Sequence, residues 1–243
     1  MNLALIGYGS MGSAVHRIAE ERGHKIVAVV DPKAAEATAP SLKEGVFSGA
    51  DVALDFSLGE AVLDNIKFCK EAGVDLVIGT TGWYDKLDSA RDSAEGIGLL
   101  WSSNFSIGVN LYFKIVEEAA KLMDNFDEYD IWGHEIHHYN KADSPSGTAK
   151  TLEKILLDNI KRKQSVVEDK LDRKRADEEI HFSSVRGGAV NFAHTVGFDS
   201  VADRILLTHE ARNRDGYALG AVKVAEWLKG KKGFFEMKDF LNL

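Results

Sequence analysis

Fifteen consecutive residues, Glu135-Ile136-His137-His138-Tyr139-Asn140-Lys141-Ala142-Asp143-Ser144-Pro145-Ser146-Gly147-Thr148-Ala149, hold the chain's densest collection of groups able to do chemistry. His137 and His138 are adjacent and Lys141 follows three residues on, a compact cationic cluster in a protein of formal charge −8. Building a core requires nothing of the kind. Ser146-Gly147-Thr148 then opens a stretch, Ala149 to Ile160, whose apolar residues recur at helical spacing. A helix start carries unpaired backbone N–H groups and the positive end of the dipole, so it binds carboxylates and phosphates. Cluster and helix start together point to a pocket for a small, negatively charged molecule. Side chains of neighbouring strand residues face opposite ways, so both histidines line one pocket only if the strand ends around them.

His134-Glu135-Ile136-His137-His138 also spells H-E-x-x-H, the zinc-protease pattern. That chemistry needs a helix, which sets the two outer histidines one turn apart on one face. Here Gly133 precedes the motif, Tyr129, Ile131 and Trp132 favour a strand, and Pro145 limits any helix downstream. No third ligand is evident, and no metal is expected.

A second chemical signature lies at the N-terminus. The apolar run Leu3-Ala4-Leu5-Ile6 suits a buried parallel strand and leads into Gly7-Tyr8-Gly9-Ser10-Met11-Gly12, after which Ala14 to Glu20 continue as an amphipathic helix. This is G-x-G-x-x-G between strand and helix, where the glycines serve the tight turn, the approach of a pyrophosphate and close helix–strand packing. A second strand, Lys25 to Val30, ends at Asp31, where an acid accepts from an adenosine ribose.

These groups need elements to position them. Strand-like runs at Asp51–Phe56, Asp75–Ile78 and Gly98–Trp101 alternate with helical runs at Gly59–Ala72 and Tyr84–Ala94. Such alternation predicts an α/β fold, a doubly wound parallel sheet with helices on both faces and ligands beyond the carboxyl ends of the strands. Gly7–Gly12, Gly79-Thr80-Thr81-Gly82 and Ser102-Ser103-Asn104-Phe105-Ser106 then converge on one edge. After Ser106 the pattern changes. A helix over Val109–Met123, a strand over Glu128–His138 and the helix from Thr148 precede Lys161–Glu179, a charged stretch expected to be solvated helix end and loop. His181–Val185, Gly188–Val196 and Arg204–Glu210 follow as three strands with hairpin-like breaks, making a smaller α+β block. A terminal helix, Tyr217–Leu228, is expected to return to the first block. The predicted domains are residues 1–106 with 216–243, for dinucleotide binding, and residues 107–215.

Composition narrows the function classes. The chain has 243 residues, 44% hydrophobic and 28% charged, ordinary for a soluble protein with ample core. No apolar run approaches the ~20 residues of a membrane span. The acidic balance argues against a nucleic-acid surface. With strand and loop already at the N-terminus, no signal peptide is expected. Cys69 stands alone in an amphipathic segment, is expected to be a buried structural thiol, and fits a reducing cytoplasm.

On these residues the chain resembles the 4-hydroxy-tetrahydrodipicolinate reductases, long called dihydrodipicolinate reductases, of lysine and diaminopimelate biosynthesis. The resemblance runs end to end. Its most specific element is the E-x-H-H-x-x-K-x-D-x-P-S-G-T-A signature, met by Glu135 through Ala149, with Ser144 where Ala is common. It implies a cytoplasmic oxidoreductase that reduces a cyclic imine dicarboxylate with NADH and/or NADPH. It also implies a dinucleotide-binding (Rossmann) domain, plus a smaller domain that carries substrate and assembles a homotetramer. His137 would then be a proton donor or acceptor and Lys141 a proton donor, with His138, Ser146, Gly147 and Thr148 on the substrate carboxylates. Gly7, Tyr8, Gly9, Ser10, Met11, Gly12, Asp31, Gly79, Thr80, Thr81, Ser102, Ser103, Asn104 and Phe105 would serve the cofactor. Closure over the ligands is expected, with hinges near Ser106 and around Asp215. Aspartate or homoserine dehydrogenases share the logic of the first hundred residues but do not predict the His-His-Lys and Pro-Ser-Gly-Thr combination. A dinucleotide sensor without turnover has no need of Lys141 beside two histidines.

Overall fold

The computed structural model describes residues 1–168 and 170–243. Contacts divide the chain into two units, Met1–Ile107 with Asp215–Leu243, and Gly108–Arg214. In chain order the elements are β1 (Asn2–Ile6), α1 (Ser10–Glu21), β2 (Lys25–Val30), β3 (Val52–Asp55), α2 (Val62–Ala72), β4 (Asp75–Ile78), α3 (Leu87–Ser93) and β5 (Gly98–Trp101). There follow α4 (Ile107–Met123), β6 (Asp130–His137), α5 (Gly147–Asn159), β7 (Ser165–Val167), β8 (Glu179–Arg186), β9 (Phe192–Asp199) and β10 (Arg204–Ala211). The chain finishes with α6 (Asp215–Leu228), β11 (Gly233–Phe235) and α7 (Met237–Leu241).

The first unit is a six-stranded parallel sheet in the order β11-β5-β4-β3-β1-β2. Its strands read as continuous apolar runs because both faces are covered. Strand alternation sends Leu3, Leu5, Leu54, Val77 and Leu100 into one core with Val15 and Ala19 of α1 and Ala221, Val222 and Ala225 of α6. Ala4, Ile6, Ala53, Leu76, Ile78 and Leu99 enter a second core with Ile66 and Cys69 of α2 and Ala90 of α3. Cys69 is fully buried, and burial pushes its thiol pKa up. From β1 the chain moves outward to β2 and then crosses to β3 on the other side of β1. This is the switch point at which open α/β sheets hold ligands.

The second unit is a five-stranded mixed sheet in the order β10-β9-β6-β8-β7. Alternate residues of β6, from Ile131 to His137, are buried. Ile131, Phe182, Val196 and Phe198 pack with Tyr112 and Val116 of α4 and Leu152 and Leu156 of α5. Two expectations are corrected here. The strands after residue 179 are not a run of hairpins, since β6 lies between β8 and β9, parallel to the first and antiparallel to the second; only β9 and β10 form a hairpin pair. The charged stretch Lys161–Glu179 is not all solvated, for it contains β7 and the buried Lys163. The Lys163 ammonium donates to Asp130 Oδ1 at 2.7 Å and to the carbonyls of Asp177 and Glu179 at 2.6 and 3.2 Å. Among the described residues no helix is long and apolar enough to cross a membrane.

Candidate functional site

In the first unit the glycine loop folds as its sequence demands. Gly7 has φ +84°, and a Cβ there would lie 2.6 Å from the carbonyl oxygen of Phe56. A Cβ on Gly12 would lie 2.3 Å from the Gly7 carbonyl oxygen, whereas one on Gly9 would meet nothing within 4 Å. Two glycines close the turn and the third leaves open space above the start of α1, a cradle that fits a pyrophosphate. Asp31, at the end of β2, braces this loop. Its Oδ2 accepts from the Tyr8 N–H at 2.8 Å, and its Oδ1 from the N–H groups of Lys33 and Ala34 at 2.8 and 2.9 Å. Those backbone bonds, Tyr8 first, hold its carboxyl below the usual range.

A cavity of about 620 Å³ is lined by Gly7, Tyr8, Gly9, Asp31 and Lys33 together with Ser41, Phe56, Ser57, Leu58 and Asn65. Ser10, Met11 and Gly12, Gly79 to Thr81 and Ser102 to Phe105 are not among its lining residues; the last two groups follow β4 and β5. Thr80 is buried, and its hydroxyl is committed to Asp55, donating to Oδ1 at 3.0 Å, while accepting from the Ser57 N–H at 2.9 Å. Asp55 also accepts from the Ser57 hydroxyl at 2.6 Å and from Asn65 at 2.8 Å. Burial outweighs these bonds and raises its pKa. Asp55 thus ties the loops after β3 and β4 together, a role the sequence reading missed. After β5, the Ser102 hydroxyl and the Asn104 side chain cap backbone N–H groups of Asn104 and Ser106 at 3.1 and 2.8 Å.

In the second unit β6 ends at His137, so His138 lies just beyond the strand, half-buried. His134 points to the opposite face from Glu135 and His137 and stacks on Trp132 at 5.9 Å. The helical zinc geometry of H-E-x-x-H is therefore not formed. His137 is buried, with Nε2 3.1 Å from Glu135 Oε2, its ring stacked on Phe192 at 5.7 Å and edge-on to His194 at 5.3 Å. Burial pushes its pKa down to about 4. The attraction of Glu135 opposes this, and individually smaller repulsions from His194, Arg186 and Lys141 add to it.

Glu135 is the centre of the cluster and is fully buried. Its Oε1 accepts from the Ser146 N–H at 3.0 Å, the Ser184 hydroxyl at 2.8 Å and Arg186 Nη2 at 2.7 Å. Its Oε2 accepts from the Ser146 hydroxyl and faces Nε2 of His137 and of His194, each at 3.1 Å. Burial alone would raise this carboxyl, but bonds from His194, Ser146, Arg186 and Ser184 hold it far below the usual range. Glu135, His137 and His194 bring potential ligand atoms within 4.8 Å of one another. Arg186 and the Ser146 hydroxyl already occupy the carboxylate, which makes the group a hydrogen-bonded cluster rather than a cation cage. Ser184, Arg186, Phe192 and His194 come from β8 and β9, and nothing in the local sequence marked them.

Ser146 is the N-cap of α5, its hydroxyl accepting from the Ala149 N–H at 3.2 Å. Its side chain is therefore committed inward. Gly147 is exposed and Thr148 half-exposed, their N–H groups lie in the first turn, and no acidic residue occupies that turn. Lys141 is partly exposed, pairs with the Asp143 carboxylate and donates its N–H to the His138 carbonyl at 3.1 Å. The Asp143 carbonyl accepts from Arg186 at 2.7 Å, which anchors the loop carrying Lys141 to β8. His137, His138, Lys141 and the first turn of α5 therefore lie together in one unit.

Residues 1–105 match the family model described as dihydrodipicolinate reductase, N-terminus, and residues 108–241 the one described as dihydrodipicolinate reductase, C-terminus. The chain is 39% identical over 244 residues to the 4-hydroxy-tetrahydrodipicolinate reductase of Christiangramia forsetii, covering 100% of this chain and 98% of that protein. It is 41% identical over 201 residues to the enzyme of the same name from Chromobacterium violaceum, covering 80% and 74%. Among solved structures it is similar in fold to the dipicolinate-bound dihydrodipicolinate reductase from Paenisporosarcina sp. TG-14, with a TM-score of 0.80 and 24% identity over 97% of each chain. A probable dehydrogenase from Thermotoga maritima shares the fold more distantly, with a TM-score of 0.57, 10% identity, and 98% and 92% of the two chains covered.

Proposed function

The chain belongs to the dihydrodipicolinate reductase family, and from that premise we propose how its own residues carry out the family's reaction. The enzyme reduces 4-hydroxy-tetrahydrodipicolinate to tetrahydrodipicolinate, with loss of water, in lysine and diaminopimelate biosynthesis. When bound, NADH or NADPH supplies the hydride. Gly7 to Gly12 and Asp31 hold the pyrophosphate and adenosine ribose. Gly79 to Thr81 and Ser102 to Phe105 contribute mainly backbone groups, because the Thr80 and Ser102 hydroxyls are committed within their loops.

The single observation that carries the reading of the substrate site is the placing of α5's first turn and Lys141 around the Glu135–His137 cluster. One substrate carboxylate takes the N–H groups of Gly147 and Thr148, where a helix start favours negative charge, and His138 adds a donor. Ser146 acts from behind, as the cap that shapes the turn. Lys141 delivers the proton to the reduced ring. His137, neutral in the free enzyme, takes part as an acceptor rather than as the resting acid.

The enzyme works in the cytoplasm as a homotetramer. The edge position of β10, with Ile205 and Leu206 exposed at 41% and 47%, supports assembly through the second unit.

A coupled assay tests the activity, with substrate made in place from pyruvate and aspartate semialdehyde by the preceding synthase. NAD(P)H oxidation should require both precursors, the synthase and this protein. Oxidation absent at high enzyme concentration, with folded protein and active synthase, would sink the assignment.

A further inference from the structure

We propose that Glu135 is a positioning residue: its carboxylate holds His137 as the Nε2–H tautomer and, through Ser146, fixes the start of α5. An ionised carboxylate accepts and cannot donate. Glu135 Oε2 lies 3.1 Å from Nε2 of His137 and 3.1 Å from Nε2 of His194, and the Ser146 hydroxyl, also 3.1 Å from His194 Nε2, gives its own hydrogen to Oε2, so each of those nitrogens carries a hydrogen. Nδ1 of His137 then carries the lone pair available for proton traffic.

Two further observations agree. Arg186 meets Oε1 at 2.7 Å and neutralises the carboxylate, so neither imidazole has to be charged for the cluster to balance. Nδ1 of His194 is buried without a hydrogen-bond partner, which suits a bare lone pair far better than an orphaned N–H. The packing of the His137 ring against Phe192 and His194 fixes its plane, leaving the tautomer as the remaining freedom.

The same carboxylate grips Ser146 twice, at its N–H through Oε1 and at its hydroxyl through Oε2. That hydroxyl in turn caps Ala149 at 3.2 Å. Strand periodicity places Glu135 and His137 on one face of β6, two residues apart. One buried charge therefore registers the proton-handling imidazole against the anion-binding helix start. The consequence for turnover rests on His137 and α5 having the roles proposed above; the tautomer itself does not.

Glu135→Gln separates these effects. The backbone N–H of Ser146 and the Arg186 guanidinium both need an acceptor, so the amide oxygen takes the Oε1 position. The amide NH₂ then faces His137 and turns its Nε2 into an acceptor, moving the proton to Nδ1. Imidazole ¹⁵N NMR, with the His137 signals identified by their loss in His137→Gln, should show Nε2–H in the native enzyme and Nδ1–H in Glu135→Gln. Turnover should fall on the order of a hundredfold, with a raised KM for substrate and an unchanged KM for cofactor. A native enzyme whose His137 is Nδ1–H or charged at neutral pH overturns the proposal without any variant having to fold. A Glu135→Gln enzyme that keeps Nε2–H overturns it as well. A reversed tautomer with native turnover would sustain the assignment for Glu135 and remove His137 from the reaction.

Discussion

Asp31 accepts the backbone N–H of Tyr8 at 2.8 Å, so the acid that closes β2 braces the second residue of the glycine loop that follows β1. The same carboxylate lines the cavity beside the loop, where Lys33 is the only cation among the described lining residues.

Cofactor choice follows from that placement. Asp31 keeps lone pairs for a ribose 2′-OH and repels a 2′-phosphate, which Lys33 offsets in part. NADH is therefore expected to be preferred, with NADPH still accepted. Asp31→Ala should raise the KM for NADH by roughly ten- to a hundredfold, the range for a lost hydrogen bond to a charged group, and shift the ratio of the two cofactors towards NADPH. Steady-state kinetics with both cofactors check this. A native enzyme with strong NADPH preference would mean that Asp31 does not face the ribose.

The pH dependence of stability should carry a signature of His137. Its pKa is depressed from 6.5 to about 4 in the folded protein. Its contribution is thus fully present above pH 6.5 and is lost as pH falls towards 4, because the unfolded chain binds the proton first. Up to about 3 kcal/mol is at stake, at 1.36 kcal/mol per pH unit. Glu135 stays ionised through this window. Urea unfolding of native and His137→Gln proteins between pH 7.5 and 4.5 should show a shallower slope in the variant; parallel slopes would mean that His137 titrates normally.

Zinc is expected to be irrelevant to turnover. His134 and His138 do not share a helix face, and the Glu135 carboxylate is taken by Arg186, Ser146 and Ser184. Extensive chelator treatment should leave activity intact. Stoichiometric bound zinc together with chelator-sensitive turnover would reverse this view.

The sheet of the first unit was legible because strands buried on both faces spell uninterrupted apolar runs, and the glycine loop because Gly7 and Gly12 sit where a Cβ has no room. What escaped was short or non-local. Gly233–Phe235 is a three-residue edge strand, and Ser165–Val167 lies inside a stretch dominated by charge. Gly187-Gly188 does mark a turn, but turn chemistry does not say which strand comes alongside, and β6 inserts between β8 and β9. The same limit applies to the site. The signature showed Glu135 and His137, yet only the sheet brings His194, 59 residues away, to the same carboxylate oxygen.

Lys141 and His138 should separate cleanly in kinetics. Lys141 is partly exposed, paired with Asp143, and held on a loop anchored through the Asp143 carbonyl to Arg186. It is the proton donor proposed above. Lys141→Ala should lower turnover by roughly a hundred- to ten-thousandfold, the range for general acid catalysis. Cofactor affinity should barely change, since Lys141 belongs to the second unit. His138→Ala should instead mainly raise the KM for substrate, because its proposed partner is a carboxylate present in ground and transition states alike. Full kinetic constants for each variant, with nucleotide fluorescence for cofactor binding, decide between the roles. Near-normal turnover of Lys141→Ala at saturating substrate would remove Lys141 from the chemistry. His137 would then have to gain its proton only once the substrate's negative charge is in place.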